Sequence, residues 1–385
     1  MKILYVIPYF VPAWSYGGPV KVANELSTRT AQKKHIVAVA TTDVLDEKNR
    51  SKVLRERLNG VEVFRFKNLS NFLAKRLNLY LPLGFKKFAA REIKKYDVIH
   101  LHSFYTCQNV IAAKFCKQEE VPYILHLHES PVPSKERGRG TAKILYHFLW
   151  GKNLLLNSSR ILALTTREKD ELTKFLPAVK DKIVVLPNSI SLQNMPVLQN
   201  KKEGQKIILS LSRLSYIKGI DLLIKAFAKL AAEDSSFNLV IAGPDERGQK
   251  RKLQRLVEKL SIGKNVSFIG EVTGEKKEKT FADADVYALF SRYESFGLTV
   301  LEAIKHNLPV CLSKEVGLSE DINKWGCGII IKDTANEKAA AKALQQTYEQ
   351  SRDLKKNCAD ALSQFDQKKI IDDLVTIYQT VVKKT

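Results

Sequence analysis

The sequence predicts an α/β protein built from two successive Rossmann-like parallel-sheet domains, and three observations carry that expectation. Short runs rich in Val, Ile and Leu alternate with helical patterns along almost the whole chain, the order that a parallel sheet with crossover helices requires. The alternation breaks once, at the polar and aperiodic stretch SISLQNMPVLQNKKEGQ (189–205), and then restarts. A chain of 385 residues is also longer than one domain ordinarily needs.

In the first half the candidate strands are KILYVIP (2–8), HIVAVATT (35–42), VEVFRF (61–66), DVIHLH (97–102), YILHLH (123–128), ILALTT (161–166) and KIVVLP (182–187). Their near-continuous apolar character fits strands covered on both faces. The opening MKILYVIPYFVPAW places one lysine before an apolar run, as a signal peptide does. Two prolines and a tyrosine interrupt that run and no small-residue cleavage site follows, so it reads as a buried first strand. After the break come KIILSLS (206–212), FNLVIAG (237–243), NVSFIG (265–270), DVYALF (285–290), LPVCLS (308–313) and GIIIK (328–332). The last stretch, 366–385, sets Ile370, Ile371, Leu374, Val375, Ile377, Tyr378 and Val381 at helical intervals. The expected domains are therefore residues 1 to about 190 and 203–365, with the last helix returning to the first.

Hydrophobic residues make up 44% and charged residues 27%, which excludes disordered and collagen-like classes. No segment approaches the roughly 20 apolar residues of a spanning helix. The five cysteines are odd in number and lack paired metal spacing, pointing to a reducing cytoplasm and no zinc module. The net charge of +22 favours an anionic partner. Its sign does not choose among nucleic acid, anionic lipid and phosphorylated substrates. LAKRLNLYLPLGFKKFAAREIKK (73–95) mixes basic and apolar residues at helical spacing, and two readings stay open. It lies on the cytoplasmic face of a membrane, or it is a solvated helix face packed on its own domain.

The chemistry concentrates in SRYESFGLTVLEA (291–303), directly after a candidate strand. Ser295 is the expected N-cap of the helix in GLTVLEAIKH, which leaves the amides of Phe296, Gly297 and Leu298 at a helix N-terminus, where phosphate binds. Glu294 stands just before that helix and Glu302 inside it. In SLSRLSYIKGIDLLIKAF (210–227), Arg213 and Lys218 lie in a strand-to-helix loop and can clamp a diphosphate, one as a planar fork and one as a point charge. PYFVPAWSYGGPVKVANEL (8–26) sets Gly17 and Gly18 between a strand and a helix, without the G-x-G-x-x-G spacing. His100/His102 and His126/His128 alternate at two strand ends, a geometry open to zinc but without a neighbouring cysteine or carboxylate cluster to complete it. Asp283 and Asp285 have a DxD spacing but precede a strand, so they read as a helix end and a strand opener and imply no metal.

Two glutamates with seven residues between them, in ESFGLTVLEA, resemble the EX7E motif of the family 4 retaining glycosyltransferases of the GT-B fold. Arginine followed by lysine-glycine before a helix is similar to that family too, and AGPDERG (242–248) and FIGEVTGEK (268–276) extend the likeness. The resemblance implies that Glu294 reaches the transferred sugar, Glu302 holds the nucleotide ribose, and Arg213 and Lys218 neutralise the leaving nucleoside diphosphate beside Ser295 to Leu298. It brings the Gly17–Gly18 loop to the donor phosphates and acceptor, and Glu271 or Val272 near the base. It assigns His128 to the donor sugar, with His126 as rival, and His102 to the acceptor side. VLPNSI (185–190) departs from the family's asparagine-glycine form at Ser189, leaving Asn188 as a domain-end marker.

The likeness covers nearly the whole chain and is weakest at 43–96 and 129–160, where acceptor recognition is expected to vary. It implies an acceptor-side first domain, a donor-side second domain, a nucleoside-diphosphate-sugar donor, and no metal or other cofactor. The acceptor would be a saccharide or lipid-linked, in cell-surface polysaccharide or glycolipid synthesis, with an anionic membrane surface as a further partner and no nucleic acid. A nucleotide-sugar epimerase can share the fold and would be marked by a second carboxylate pair. A non-enzymatic nucleic-acid-binding protein is suggested by charge alone, since the aromatic-basic interleaving of such modules is missing.

Overall fold

The computed structural model describes all residues except 78, 133–139, 193–204 and 384–385. The predicted linker at 189–205 falls mostly outside the described residues. The chain forms two compact units, Met1–Ser189 with Lys368–Thr385, and Ile190–Gln367.

The first unit contains β1 (Lys2–Val6), β2 (Ile36–Thr42), β3 (Arg55–Leu58), β4 (Val61–Phe66), β5 (Val98–His102), β6 (Tyr123–His126), β7 (Arg160–Ala163) and β8 (Ile183–Val185). Their order in the sheet is β3-β4-β2-β1-β5-β6-β7-β8. All neighbours run parallel except β3 and β4. The apolar runs are enclosed as expected, with Ile3, Leu4, Val6, Ile99 and Leu101 at 0% exposure. β3 is absent from the strands read off the sequence, because RERL has no apolar face to bury at this sheet edge. What makes it a strand is the hairpin: Asn59 and Gly60 both take positive φ, 48° and 86°, the geometry of a tight two-residue turn.

Residues 73–95 divide. The helix Phe85–Glu92 and the turn Ile93–Lys95 bury Phe85, Ala89 and Ile93 in the domain's own core, while Lys86, Lys87 and Arg91 face solvent. That part adopts the solvated-face reading, since its apolar stripe is spent on the core. The helix Gln367–Val382 buries Ile370, Ile371, Leu374, Tyr378 and Val381. Its Tyr378 hydroxyl lies 2.8 Å from that of Tyr5 and 2.6 Å from His100 Nδ1, so the chain's end is tied to the central strands β1 and β5.

The second unit contains β9 (Lys206–Leu211), β10 (Phe237–Ala242), β11 (Val266–Gly270), β12 (Val286–Leu289), β13 (Val310–Ser313) and β14 (Gly328–Ile331). They are ordered β11-β10-β9-β12-β13-β14 and all parallel. In both units the chain winds outward from one central strand, then returns to its other side. The switch points lie between β9 and β12 and between β1 and β5. Just past the carboxyl ends of such strands, successive loops part and leave a crevice for a ligand.

Candidate functional site

In the second unit the candidate residues lie at that switch point. Beyond β9, Leu214 N–H donates to Pro244 C=O at 2.9 Å, which anchors the loop carrying Arg213. The Arg213 guanidinium is 53% exposed and 3.7 Å from the Glu246 carboxylate, a loose pairing that an anion can displace. A 3-10 turn over Tyr216–Lys218 leads through Gly219 into the helix Ile220–Glu233. Gly219 sits at φ 60°, and a Cβ there would come 1.9 Å from the Phe290 carbonyl oxygen. The glycine thus lets the Lys218 backbone lie against the end of β12. Gly219→Ala is expected to cost about 2–4 kcal/mol through left-handed strain and overpacking. That lowers the thermal midpoint of this unit by about 5–15 °C. Scanning calorimetry checks it, and an unchanged midpoint would show that the backbones can separate freely.

Past β12, the second loop is held by contacts without a local sequence signature. Arg292 donates to both oxygens of Asp221 at 2.7 Å and to the Tyr216 carbonyl at 2.7 Å, and its guanidinium lies 3.9 Å over the Tyr216 ring. This residue, which the sequence reading passed over, ties the Glu294 loop to the Lys218 loop. Glu294 also joins a short parallel bridge with Val316, and Gly317 N–H donates to its carbonyl at 2.8 Å. That bridge corrects the expected cap. Leu318 N–H donates to the Phe296 carbonyl, so the chain bends through Ser295 and Phe296 against 316–318, and the helix runs over Leu298–Lys305 with Gly297, at φ 103°, as its N-cap. Ser295 therefore does not cap it. The first amides of the helix still lack an acceptor one turn earlier, as any helix start does.

The two glutamates acquire separate lysines. Lys218 and Glu294 form a short charge-assisted hydrogen bond, with side chains only 15% and 17% exposed. Lys277, on the helix Gly274–Ala282, lies 2.7 Å from the Glu302 carboxylate. Lys277 is the other residue the sequence reading missed, since one lysine in GEKKEK looks like any surface cation. Tyr287 donates to Thr299 Oγ1 at 2.6 Å and fixes the helix start from beneath. Val272 is buried just beyond β11, beside the exposed Glu271. Asp283 caps the end of its helix, and Asp285 accepts the Ile207 amide at 2.8 Å, so neither points to a metal role.

In the first unit, Gly17 takes φ 75° between the 3-10 turn Trp14–Tyr16 and the helix Gly18–Gln32. His100, His102, His126 and His128 form one buried stack beside Tyr5 and Tyr378. His102 Nδ1 is 2.7 Å from His128 Nε2, while His100 Nε2, His102 Nε2 and both nitrogens of His126 find no hydrogen-bond partner among the described residues. Burial pushes His100, His102 and His126 well below the ordinary imidazole value and His128 down to about 3, so the rings are neutral. Ring nitrogens of His100, His102 and His126 come within 4.8 Å of one another. The His100 and His102 rings are 4.2 Å apart and those of His100 and His126 lie 9° from parallel. The other two pairs among these three rings are tilted, His100–His102 by 33° and His102–His126 by 31°.

Residues 16–194 match the family described as Glycosyltransferase Family 4, and residues 194–364 match that described as Glycosyl transferases group 1. An uncharacterised glycosyltransferase of Methanocaldococcus jannaschii is 29% identical over 294 residues, spanning 71% of this chain and 72% of that protein. The solved sucrose-phosphate synthase of Thermosynechococcus elongatus superposes with a TM-score of 0.81 at 20% identity over 100% of both chains. Anabaena HepE, solved in complex with UDP and glucose, has a TM-score of 0.75 at 18% identity over 99% of this chain and 100% of its own.

Proposed function

As the chain belongs to the family 4 glycosyltransferases of the GT-B fold, we propose that it moves a hexosyl group with retention from a nucleoside-diphosphate-sugar to a saccharide or lipid-linked acceptor. Cell-surface polysaccharide or glycolipid synthesis is the setting this fits. The observation that carries the reading is the Lys218–Glu294 pair. It joins the two motifs that the switch point of the second unit brings together.

The donor diphosphate takes Arg213, Lys218 and the backbone of Ser295, Phe296, Gly297 and Leu298. When it enters, each cation exchanges a protein carboxylate for phosphate oxygens, and Glu294 is released toward the sugar hydroxyls. Glu302, steadied by Lys277, accepts from the ribose hydroxyls, and the backbone at Val272 meets the base. In the first unit, Gly17 and Gly18 form the loop serving donor phosphates and acceptor. His128 retains some exposure while His126 is enclosed, which favours His128 as the contact to the donor sugar, with His102 on the acceptor side. The anomeric carbon–oxygen bond to the diphosphate breaks and the acceptor oxygen bonds that carbon from the same face. The acceptor proton passes to the leaving phosphate oxygen. Charge gathers on the diphosphate, and cations already in place stabilise that state most.

The set contains no acidic cluster suited to magnesium, and two cations do the neutralising, so transfer is proposed to need no metal. The test is a thermal-shift panel of nucleoside diphosphates and their sugars, followed by turnover with the stabilising donor in excess EDTA. A ligand at about 100 times its Kd stabilises the fold by about 2.7 kcal/mol. Turnover should survive the chelator. Loss in EDTA with recovery on magnesium or manganese would defeat the metal-free assignment, and absence of any nucleotide-dependent shift would defeat the donor assignment.

A further inference from the structure

Within 129–160, where the family resemblance is weakest, residues 144–150 carry the densest run of exposed large apolar side chains among the described residues. The helix Gly140–Tyr146 continues through a π-helical turn, His147–Gly151, into Lys152–Leu156. Its outer side exposes Ile144 at 59%, Leu145 at 57%, Phe148 at 84%, Leu149 at 44% and Trp150 at 47%. Isolated exposed apolar residues are ordinary, but five large ones within seven positions are not.

The exposure is not that of a loosely attached end. Beneath the helix Leu154 and Leu155 are buried, His147 Nε2 lies 2.5 Å from the Pro131 carbonyl oxygen, and the Tyr146 hydroxyl donates to the Phe104 carbonyl at 2.8 Å. Gly151 is fitted against His147 and the Phe104 ring, where a Cβ would meet both at 3.0 Å. The wide π turn therefore has its small residue inward while Phe148, Leu149 and Trp150 face out. Phe175 extends the surface, 42% exposed and with its ring 5.0 Å from that of His147.

Lysines flank the apolar face, while the helix that ends at Phe175 also carries Asp170 and Glu171, the latter paired with Arg167. Lys143 and Lys152 are the charged residues of 140–157, exposed Lys174 adjoins Phe175, and the whole chain carries +22. A second copy of this face would bring lysines onto lysines, because a two-fold interface pairs a patch with itself. Aromatic side chains between cations suit the boundary between anionic headgroups and acyl chains, where Trp settles by its amphipathic ring. No described helix is long and apolar enough to cross a membrane, so the contact is one of resting on the surface.

We propose that the 144–150 face, with Phe175, docks this protein on an anionic lipid surface, seating Phe148 and Trp150 at the headgroup boundary with Lys152 and Lys174 on the lipid phosphates. This deepens the proposed function by selecting the lipid-linked acceptor, and it rests on that reading for its purpose. The docking itself is measured without turnover, so the two can fail separately.

The full chain is sedimented with vesicles of phosphatidylcholine alone and with about 30% phosphatidylglycerol, at low and at physiological salt. Wild type should pellet with the anionic vesicles, less so as salt rises. The double substitution Phe148→Ser/Trp150→Ser should reduce binding about tenfold or more while keeping its circular dichroism and donor-induced thermal shift. Phe72→Ser/Leu83→Ser, at exposed positions beside and within the other basic segment, should leave binding intact. Equal recovery of wild type in the supernatant with both vesicles would overturn the proposal. So would binding lost in the Phe72/Leu83 variant but kept in the Phe148/Trp150 variant. Light scattering that showed a dimer dissolved by the Phe148/Trp150 change, without vesicle binding, would overturn it in favour of a second copy.

Discussion

Replacing Lys218 by alanine is expected to lower kcat by at least tenfold at saturating donor, beyond any rise in KM, and Arg213→Ala to do the same to a smaller extent. A charge-assisted hydrogen bond to phosphate contributes about 1.5–3 kcal/mol, equivalent to about 10- to 150-fold. Part of that is already present in the bound donor and appears in KM. The remainder appears only as the departing diphosphate gathers charge, and so appears in kcat. The structure ranks the two. Lys218 is 15% exposed and Arg213 53%, so water screens the arginine more. Losing Lys218 also leaves Glu294, itself 17% exposed, without its counter-ion beside the incoming phosphates. For that reason Lys218→Ala/Glu294→Gln should be less damaging than the sum of its single changes. Lys225→Ala, further along the same helix, is the control for lost charge and should change little. Unaltered kcat in either alanine variant would remove that residue from leaving-group stabilisation.

Acidification is expected to destabilise the first unit steeply and early. His100, His102, His126 and His128 are buried and held below the ordinary value of 6.5, His128 to about 3. Above that ordinary value the rings are neutral both folded and unfolded, and folding releases no proton. Below it the unfolded chain takes up protons that the folded stack refuses. Stability then falls by about 1.4 kcal/mol per pH unit for each ring, and keeps falling toward the folded-state values. The loss should begin near pH 6.5, before carboxylates titrate. Urea unfolding at about pH 7.5, 6.5 and 5.5 measures it, and His126→Phe should shallow the slope by about one ring's share. A flat stability over that range would mean that the stack accepts protons in place, contrary to its burial.

Much of the fold was legible because parallel strands covered on both faces must be apolar along their length. Each of the 13 parallel-sheet runs identified from the sequence corresponds to an observed strand. β3 was not legible by that criterion, since an edge strand of alternating charge has no buried face. Its signal lay in the Asn59-Gly60 turn, which a search for apolar runs ignores. The segment 140–156 was also passed over. ILYHFLW reads as core by composition, and only the π turn and the inward Gly151 decide that Phe148 and Trp150 face out while His147 stays buried.

For the site, the sequence by itself determined the candidate groups and their local setting. Glycine at 219 and 297, glutamates at 294 and 302, and cations at 213 and 218 are properties of short segments, and short segments determine turns and helix starts. Tertiary structure alone decided which groups meet. Lys218 finds Glu294 and Arg292 finds Asp221 because β9 and β12 are neighbours in the sheet though far apart in the chain, and Lys277 meets Glu302 because the helices before and after β12 pack side by side. It likewise moved the helix cap from Ser295 to Gly297, since the Glu294 and Phe296 carbonyls are held by the amides of Gly317 and Leu318. Local sequence sets what each backbone segment can adopt, whereas pairing at a distance depends on strand order, which is settled only when the whole sheet forms.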